Sequence, residues 1–368
     1  MTNRITFLFL DGRTDRIYDK NYADDFFYGY RYFLEKHKNV QIIEMKKAKK
    51  NKLRNFIGFI DNLLRKISNC SFFLNDIVNL QNFKIIKNTE ILIITNDRLG
   101  FSSLPFLIYL KIKKRKVIMF VMGMIKIEYK YFFIKFFNTL FTKILIKLCS
   151  NLIFLSENEC LEAKEKHKNQ ANKMEYIPFC VDTNFWQRSK NYTVNKNILF
   201  IGNDGKRDYK LVKEIANKLE NFKITLISRR INKKGLNKNI KLINTSWKSN
   251  DISDNELKKY YEDASLVFLP LTNSLQPSGQ SVALQAMSMG VPVIISDTEG
   301  FWDRNNLKND KNIFLVKNFG TEDWFKKIID LTNDKEILSK NSDESQKVVR
   351  EFYDKDILIN RLNELVNS

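Results

Sequence analysis

Two segments of this sequence combine residue types that could hold an anion, and a third is a weaker candidate. Phe200 to Tyr209 reads FIGNDGKRDY, where Gly202 and Gly205 bracket a loop ending in Lys206 and Arg207, just before a helical stretch from Tyr209 to Leu219. Glycine lets backbone amides approach a ligand closely, and a guanidinium adds a forked, charge-assisted contact, so the loop suits a diphosphate. It lacks the Gly-Lys-Ser/Thr ending of a P-loop and is not Gly-x-Gly-x-x-Gly; a solvated basic turn would use the same residues. The second segment runs from Leu269 to Ile294. An apolar run ends at Pro270, and Pro277-Ser278-Gly279 opens a helix over 280–289 that Gly290 and Pro292 close. The first amides of such a helix, near Gly279, Gln280 and Ser281, have no intrahelical acceptor, and the helix dipole adds positive potential there. Gln285, five residues after Gln280, could offer its amide to sugar hydroxyls. The third segment, Asp11-Gly12-Arg13, follows the opening apolar run. An ordinary strand-to-helix turn has the same composition.

These segments need elements to position them. Short apolar runs at 5–10, 40–45, 91–95, 117–122 and 152–156 recur at 198–201, 224–227, 240–243, 266–270, 293–296 and 313–316. They are β-branched and mostly unalternating, the pattern of strands buried on both faces of a parallel sheet, with helical patterns between them. The class is therefore α/β. Ser156-Glu157-Asn158-Glu159 and Ser253-Asp254-Asn255-Glu256 read as capping boxes, predicting helices over 159–167 and 257–263. The aperiodic, polar stretch 178–197 marks a boundary. It predicts domains at 1–180 and 181–352, with a terminal helix over 353–368 returning to the first.

Composition bounds the function. At roughly 150 residues per domain, 368 residues suggest about two to three domains, and 43% hydrophobic content is enough for full cores. Four cysteines, Cys70, Cys149, Cys160 and Cys180, are too widely spaced for a zinc or redox pair, and only two histidines are present, so no metal is expected. Reduced thiols suit a cytoplasmic protein. The net charge of +20 invites an anionic partner, although Lys, Asn and Ile are enriched together, as compositional drift produces. A basic nucleic-acid-binding protein is the competing class. It is disfavoured because no recognition module is visible and Phe and Lys are dispersed through helices rather than gathered in a groove, so no nucleic acid is expected.

No secretion signal opens the chain, and lysines interrupt the apolar stretch 104–148 well before the roughly 20 residues of a spanning helix. Within 132–148 the polar residues Lys135, Asn138, Thr139, Thr142, Lys143 and Lys147 share one helical face opposite Phe, Leu and Ile. A helix packed on its sheet with solvated lysines has this pattern, and so does a helix lying on an anionic membrane surface at the inner face of the cytoplasmic membrane.

The stretch PSGQSVALQAMSMGVPVIISDTEGFWD resembles the donor-binding signature of GT-B-fold glycosyltransferases, specifically the retaining family 4 (glycosyl transferases group 1). YIPFCVDTNFW at Tyr176 to Trp186 is similar to that family's interdomain phrase, and ILFIGNDGKRDYKLVKEIA to its second-domain opening. The resemblance is strong from about Tyr176 to Asp303 and covers only the order of elements before that. It implies two Rossmann-like domains with parallel sheets facing across a cleft, the second holding a nucleotide-diphosphate sugar and the first an acceptor. Carried over by position, it makes Gly202, Lys206, Arg207, Ser278, Gly279, Gln280 and Ser281 donor-binding, with Arg207 stabilising the leaving diphosphate and no cofactor or metal required. Gln285 stands where the family grips the ribose, Trp247 near the base-contacting segment, and Gly12 on the donor side of the first domain. Arg13, Asn96 and Arg98 are candidates for acceptor contact, and an Asp11 general base is the inverting alternative to retention.

The sequence also departs from the family. Its two acidic positions are occupied by Pro277 and Gln285, Asp208 stands where Lys is common, and the first-domain His is missing. The expected function is sugar transfer to a glycan or lipid-linked acceptor in surface polysaccharide synthesis, lipopolysaccharide or capsule. A GT-B scaffold that has lost catalysis and serves as a binding subunit is the alternative that these departures keep open.

Overall fold

The computed structural model describes residues 4–48, 52–125, 129, 131–189, 192–245, 252–317 and 320–368. The chain forms two compact units. One comprises Met1–Asp19, Phe26–Pro178 and Ile359–Ser368, the other Lys20–Asp25 and Phe179–Leu358. Against the expected 1–180, 181–352 and 353–368, residues 20–25 group with the second unit, which also continues to Leu358. The final helix, Lys355–Asn367, begins in the second unit and ends in the first.

The first unit contains β1 (Ile5–Phe9), β2 (Val40–Glu44), β3 (Ile91–Ile94), β4 (Lys116–Val121), β5 (Asn151–Phe154) and β6 (Met174–Tyr176). All pair in parallel, in the order β2-β1-β3-β4-β5-β6, with Ile5 beside Val40 on one side and Ile91 on the other. In the second unit β7 (Asn197–Ile201), β8 (Lys223–Ile227), β9 (Ile240–Ile243), β10 (Leu266–Leu269), β11 (Val293–Ser296) and β12 (Phe314–Val316) pair in parallel in the order β12-β11-β10-β7-β8-β9. Every residue of β1, β3, β10 and β11 is buried, which is why these runs show no alternation. Eleven strands occupy the apolar runs. The twelfth, β6, escapes the pattern because it has three residues, pairs only with β5, and leaves Glu175 and Tyr176 half-buried.

Each sheet reverses its winding once. In the first unit the chain leaves β1 for β2 on one side and then returns to place β3 on the other; in the second, β7 and β10 sit side by side while their crossovers run apart. Parallel strands require such crossovers, and a crevice opens outside the carboxyl ends of the two strands whose connections diverge. The exits at these points are 10–13 and 95–98 in the first unit, and 202–208 and 270–279 in the second.

Ser253 and Glu256 form the reciprocal capping box at the start of Asp254–Asp263. Ser156 caps Glu157–Lys166 by accepting from Glu159 N, but the Glu159 side chain does not reach back; it turns inward, fully buried, and accepts from Gly123 N (2.9 Å) and Ile125 N (3.0 Å). Burial pushes its carboxyl up to about 7 against those hydrogen bonds. The helix Phe132–Leu148 forms as expected but buries only part of its apolar face. Asn138 and Thr142 point inward with Leu145 and Ile146, whereas Phe132 and Phe136 are 83% and 57% exposed. Asn138 accounts for the inward turn of two polar positions: its Nδ2 donates to Ser68 O (2.8 Å) and its Oδ1 accepts from Tyr129 Oη (2.8 Å). Among the described residues no helix is long and apolar enough to cross a membrane. The four cysteines are buried free thiols.

Glu159→Ala strands the amides that hold the loop after β4, at about 1–3 kcal/mol for each buried donor. Ser253→Ala removes one exposed cap and costs about 1 kcal/mol. Urea titrations of the two variants should therefore give clearly separated midpoints, with Glu159→Ala the less stable; coincident midpoints would contradict the assignment.

Candidate functional site

The carboxyl ends of β7 and β10 bring the two chemically suggestive loops together. Their backbones pair: Asp208 N donates to Pro270 O (3.0 Å) and Thr272 N to Lys206 O (2.9 Å), which sets Arg207 opposite Leu271. Asp208 also caps the helix Tyr209–Lys218 by accepting from Leu211 N. That pairing turns the Arg207 side chain inward, where the residue is 5% exposed. Its Nη1 donates to Ser278 Oγ (2.5 Å) and lies 3.0 Å from Asp204 Oδ2, while Ser278 Oγ is 3.0 Å from the same carboxylate. The buried Nε has no hydrogen-bond partner. Gly202 is required by close approach: a Cβ there would sit 2.7 Å from Arg207 Nε.

Gly279 precedes the helix Gln280–Ser288 with φ 85°, a left-handed conformation that no side chain caps. A Cβ on Gly279 would lie 3.6 Å from Arg207 Nη1, so the guanidinium and the helix N-terminus share one locality. Gln280 is buried at 7% exposure, and Ser281 is half-buried. Lys206 is half-buried beside them. Two positive potentials thus converge, partly balanced by the half-exposed Asp204. This is an arrangement chemically suited to a phosphate or diphosphate.

Gln285 is placed differently from the expectation. It is 3% exposed, its Oε1 accepts from Tyr261 Oη (3.1 Å), and its Nε2 donates to Asp25 Oδ2 (2.7 Å), so neither end of the amide is presented to a ligand. Asp25 also accepts from Asp182 N (2.7 Å) and Trp186 Nε1 (2.8 Å). Desolvation raises the Asp25 carboxyl to about 7, outweighing the hydrogen bonds from Gln285, Asp182 and Trp186, while Asp254 adds a further upward push. Trp247 lies outside the described residues.

Sequence reasoning missed Asn203, Arg229 and Arg230. Asn203 ties three strand exits, accepting from Arg229 N (2.7 Å) and donating to Thr245 O (3.0 Å), while its carbonyl accepts from Arg230 Nε (2.8 Å). Both arginines are exposed at the carboxyl end of β8. The signal was available, because the pair follows the apolar run 224–227 directly.

In the first unit, Asp11 is exposed in a turn, followed by Gly12 at φ 85°. Arg13 N and Thr14 N donate to Glu44 Oε1, and the Arg13 guanidinium lies 5.3 Å from the Phe26 ring centroid. Asn96 caps the helix Asp97–Ser102 by accepting from Arg98 N (2.7 Å), and Arg98 lies over Phe73 (5.3 Å). Asp11 and Arg13 follow β1, and Asn96 and Arg98 follow β3, so the four share the winding reversal of this sheet. A cavity of about 550 Å³ opens near the ends of β1 and β2, lined in part by Thr14, Glu44, Lys46, Arg54 and Asp76. Among the described residues no three His, Cys, Asp or Glu side chains gather as a metal ion would require.

Comparison with known proteins agrees with this architecture. Residues 195–334 match the family model of glycosyl transferases group 1. Crystal structures of Anabaena HepE in complex with UDP superpose with a TM-score of 0.64 at 12% identity, covering 99% of each chain. The HepE complex with UDP-glucose gives 0.63 at 12% identity, over 98% of this chain and 99% of HepE. Sucrose-phosphate synthase from Thermosynechococcus elongatus gives 0.71 at 10% identity, over 99% of this chain and 98% of that one. A glycosyltransferase from Rickettsia africae gives 0.64 at 13% identity, with 99% and 98% covered. None of the curated proteins matches in sequence.

Because the Asp25 carboxyl sits at about 7 rather than 3.8, its protonated form is the one the fold favours. The stability it contributes is complete below about pH 4 and is lost as pH rises through about 7. Thermal unfolding of Asp25→Asn beside the parent at several pH values from 5 to 8 should show the parent losing ground to the variant as pH rises. A constant difference would mean that Asp25 does not titrate in this range.

Proposed function

We propose that this chain, which has the GT-B fold and whose residues 195–334 match the family model of glycosyl transferases group 1, is a glycosyltransferase that moves a sugar from a nucleoside-diphosphate sugar to a glycan or lipid-linked acceptor in surface polysaccharide synthesis, lipopolysaccharide or capsule. The observation that carries the reading is the buried Arg207 guanidinium lying beside the uncapped helix N-terminus at Gly279, at the winding reversal of the second sheet. HepE, which has the same fold, is described in complex with UDP and with UDP-glucose, and this favours a nucleotide-sugar donor.

In this reading the second unit holds the donor. Arg207 and the first amides of Gln280–Ser288 meet the diphosphate, and Lys206 and Ser278 assist. Their fixed positive potential stabilises charge as it builds on the leaving phosphate, without reorganisation and without a metal. An acceptor hydroxyl, bound in the first unit near Arg13, Asn96 and Arg98, attacks the anomeric carbon on the leaving group's own face. The new C–O bond forms as the bond to phosphate breaks, and the hydroxyl proton passes to the departing phosphate, giving retention. Inverting chemistry would instead assign the proton to a base such as Asp11.

A thermal-shift panel of UDP, GDP, TDP, ADP and CMP, with an oligonucleotide beside them, tests the reading. One nucleoside diphosphate should stabilise the protein selectively. Arg207→Ala should weaken that nucleotide at least about tenfold, the equivalent of one charge-assisted contact. Unchanged affinity in the variant would discard the diphosphate assignment, and steeply salt-dependent oligonucleotide binding without nucleotide selectivity would replace the reading with a nucleic-acid one. Slow hydrolysis of one nucleotide sugar separates an enzyme from a binding subunit.

A further inference from the structure

The helix Phe132–Leu148 leaves part of its apolar side exposed, a surface that the sugar-transfer chemistry does not use. Phe132, Phe133 and Phe136 are 83%, 50% and 57% exposed, and Leu140 and Ile144 continue the stripe. The helix Lys52–Ser68 packs beside it and adds Phe56, Phe59 and Leu63 at 62%, 65% and 48%. Large aromatic side chains gathered on adjoining helices mark an interaction surface rather than the scattered exposure of an ordinary monomer.

The adjoining flank of the same helix is polar and concave. A cavity of about 290 Å³ is lined by Lys135, Asn138, Thr139, Thr142 and Lys143, with Lys166 and His167 across from them. Thr142, one of the lining residues, is 4% exposed, and its buried Oγ1 has no hydrogen-bond partner. Lys166 pairs with Glu162, whereas Lys135 and Lys143 have no carboxylate partner among the described residues. Lys135, Lys143 and Lys166 give the cavity positive charge, and burial, then the ammonium groups of Lys143 and Lys166, hold the His167 imidazole below its usual range. Lys147 and Lys168 line an adjoining hollow, where Glu165 is the one carboxylate among the lining residues.

We propose that this face of the first unit docks on anionic bilayers, seating a glycerophospholipid phosphate among Lys135, Thr142, Lys143 and Lys166 while Phe132, Phe133 and Phe136 enter the acyl boundary. Aromatic side chains beside lysines at one helix surface are what interfacial binding requires, because apolar burial and attraction to anionic headgroups add. Every residue of this surface belongs to the first unit, whereas Arg207 and Gly279 belong to the second.

Cosedimentation of the full chain with phosphatidylcholine vesicles, and with phosphatidylcholine mixed with phosphatidylglycerol, tests it. Binding is expected to the mixed vesicles only and to persist when inorganic phosphate is added at matched ionic strength. The exposed-site variants Phe132→Ser/Phe136→Ser and Lys135→Glu/Lys143→Glu should each weaken it at least about tenfold, and Thr142→Val should weaken it to a smaller extent. Nucleoside-diphosphate thermal shifts of the same preparations should be unaltered, which keeps this outcome separate from that of the donor site. Equal binding to both vesicle types, no binding, displacement by free phosphate, or insensitivity to either double variant overturns the proposal. So does a concentration-dependent dimer that the Phe variants abolish, which would assign the surface to a second copy of the chain.

Discussion

A single buried guanidinium organises the edge of the second sheet. Arg207 lies flat against Gly202, at the end of β7, and reaches Ser278, just before the helix that follows β10. Strands whose crossovers run in opposite directions leave a gap between their exits, and here the gap is bridged by the Arg207 side chain, by side-chain contacts of Ser278 with Asp204 and Thr272 with Lys206 O, and by two backbone hydrogen bonds. A charge at 5% exposure is tolerable only with compensation, which Asp204 and Ser278 supply in part. The Nε is left without a partner. The geometry that stabilises the loops is therefore also the one that concentrates positive potential beside an uncapped helix.

Buried carboxylates serve as the other fixed points, one in each unit. Glu159 gathers the amides of Gly123 and Ile125, and Asp25 gathers Asp182 N, Trp186 Nε1 and Gln285 Nε2. Each satisfies several donors at once in a place where water cannot, and in each case desolvation brings the carboxyl up to about 7. Asp25 also gives a physical reason for the amide at position 285. Gln285 can donate to the carboxylate 2.7 Å away, whereas an acid at 285 would set two carboxylates against each other. The departure from the acidic pattern and the presence of Asp25 are two sides of one contact.

Much of the fold was legible because parallel strands buried on both faces must be continuously apolar, a requirement that stands out in a Lys- and Asn-rich chain. Eleven of twelve strands and the helix starts at Ser253 and Ser278-Gly279 follow from such local rules. The strand exits carrying Arg207 and Gly279 could be named from the sequence because glycine, proline and arginine announce themselves at the ends of apolar runs. Arg229 and Arg230 also follow an apolar run, but without a flanking glycine or proline to mark the exit.

Tertiary structure decided which partner each polar group met. The sequence determined that Glu159 begins a helix, but only the fold brought the Gly123 and Ile125 amides within reach of its carboxylate. Periodicity determined that Phe132–Leu148 is an amphipathic helix, yet not which side faces inward, because Asn138 draws its polar side onto Ser68 and Tyr129, far away in sequence or outside the helix. Likewise Gln285 faces Asp25 across 260 positions of chain. Backbone conformation is set by neighbours in sequence, whereas the satisfaction of a buried donor or charge depends on neighbours in space, and these exist only once the chain has closed on itself.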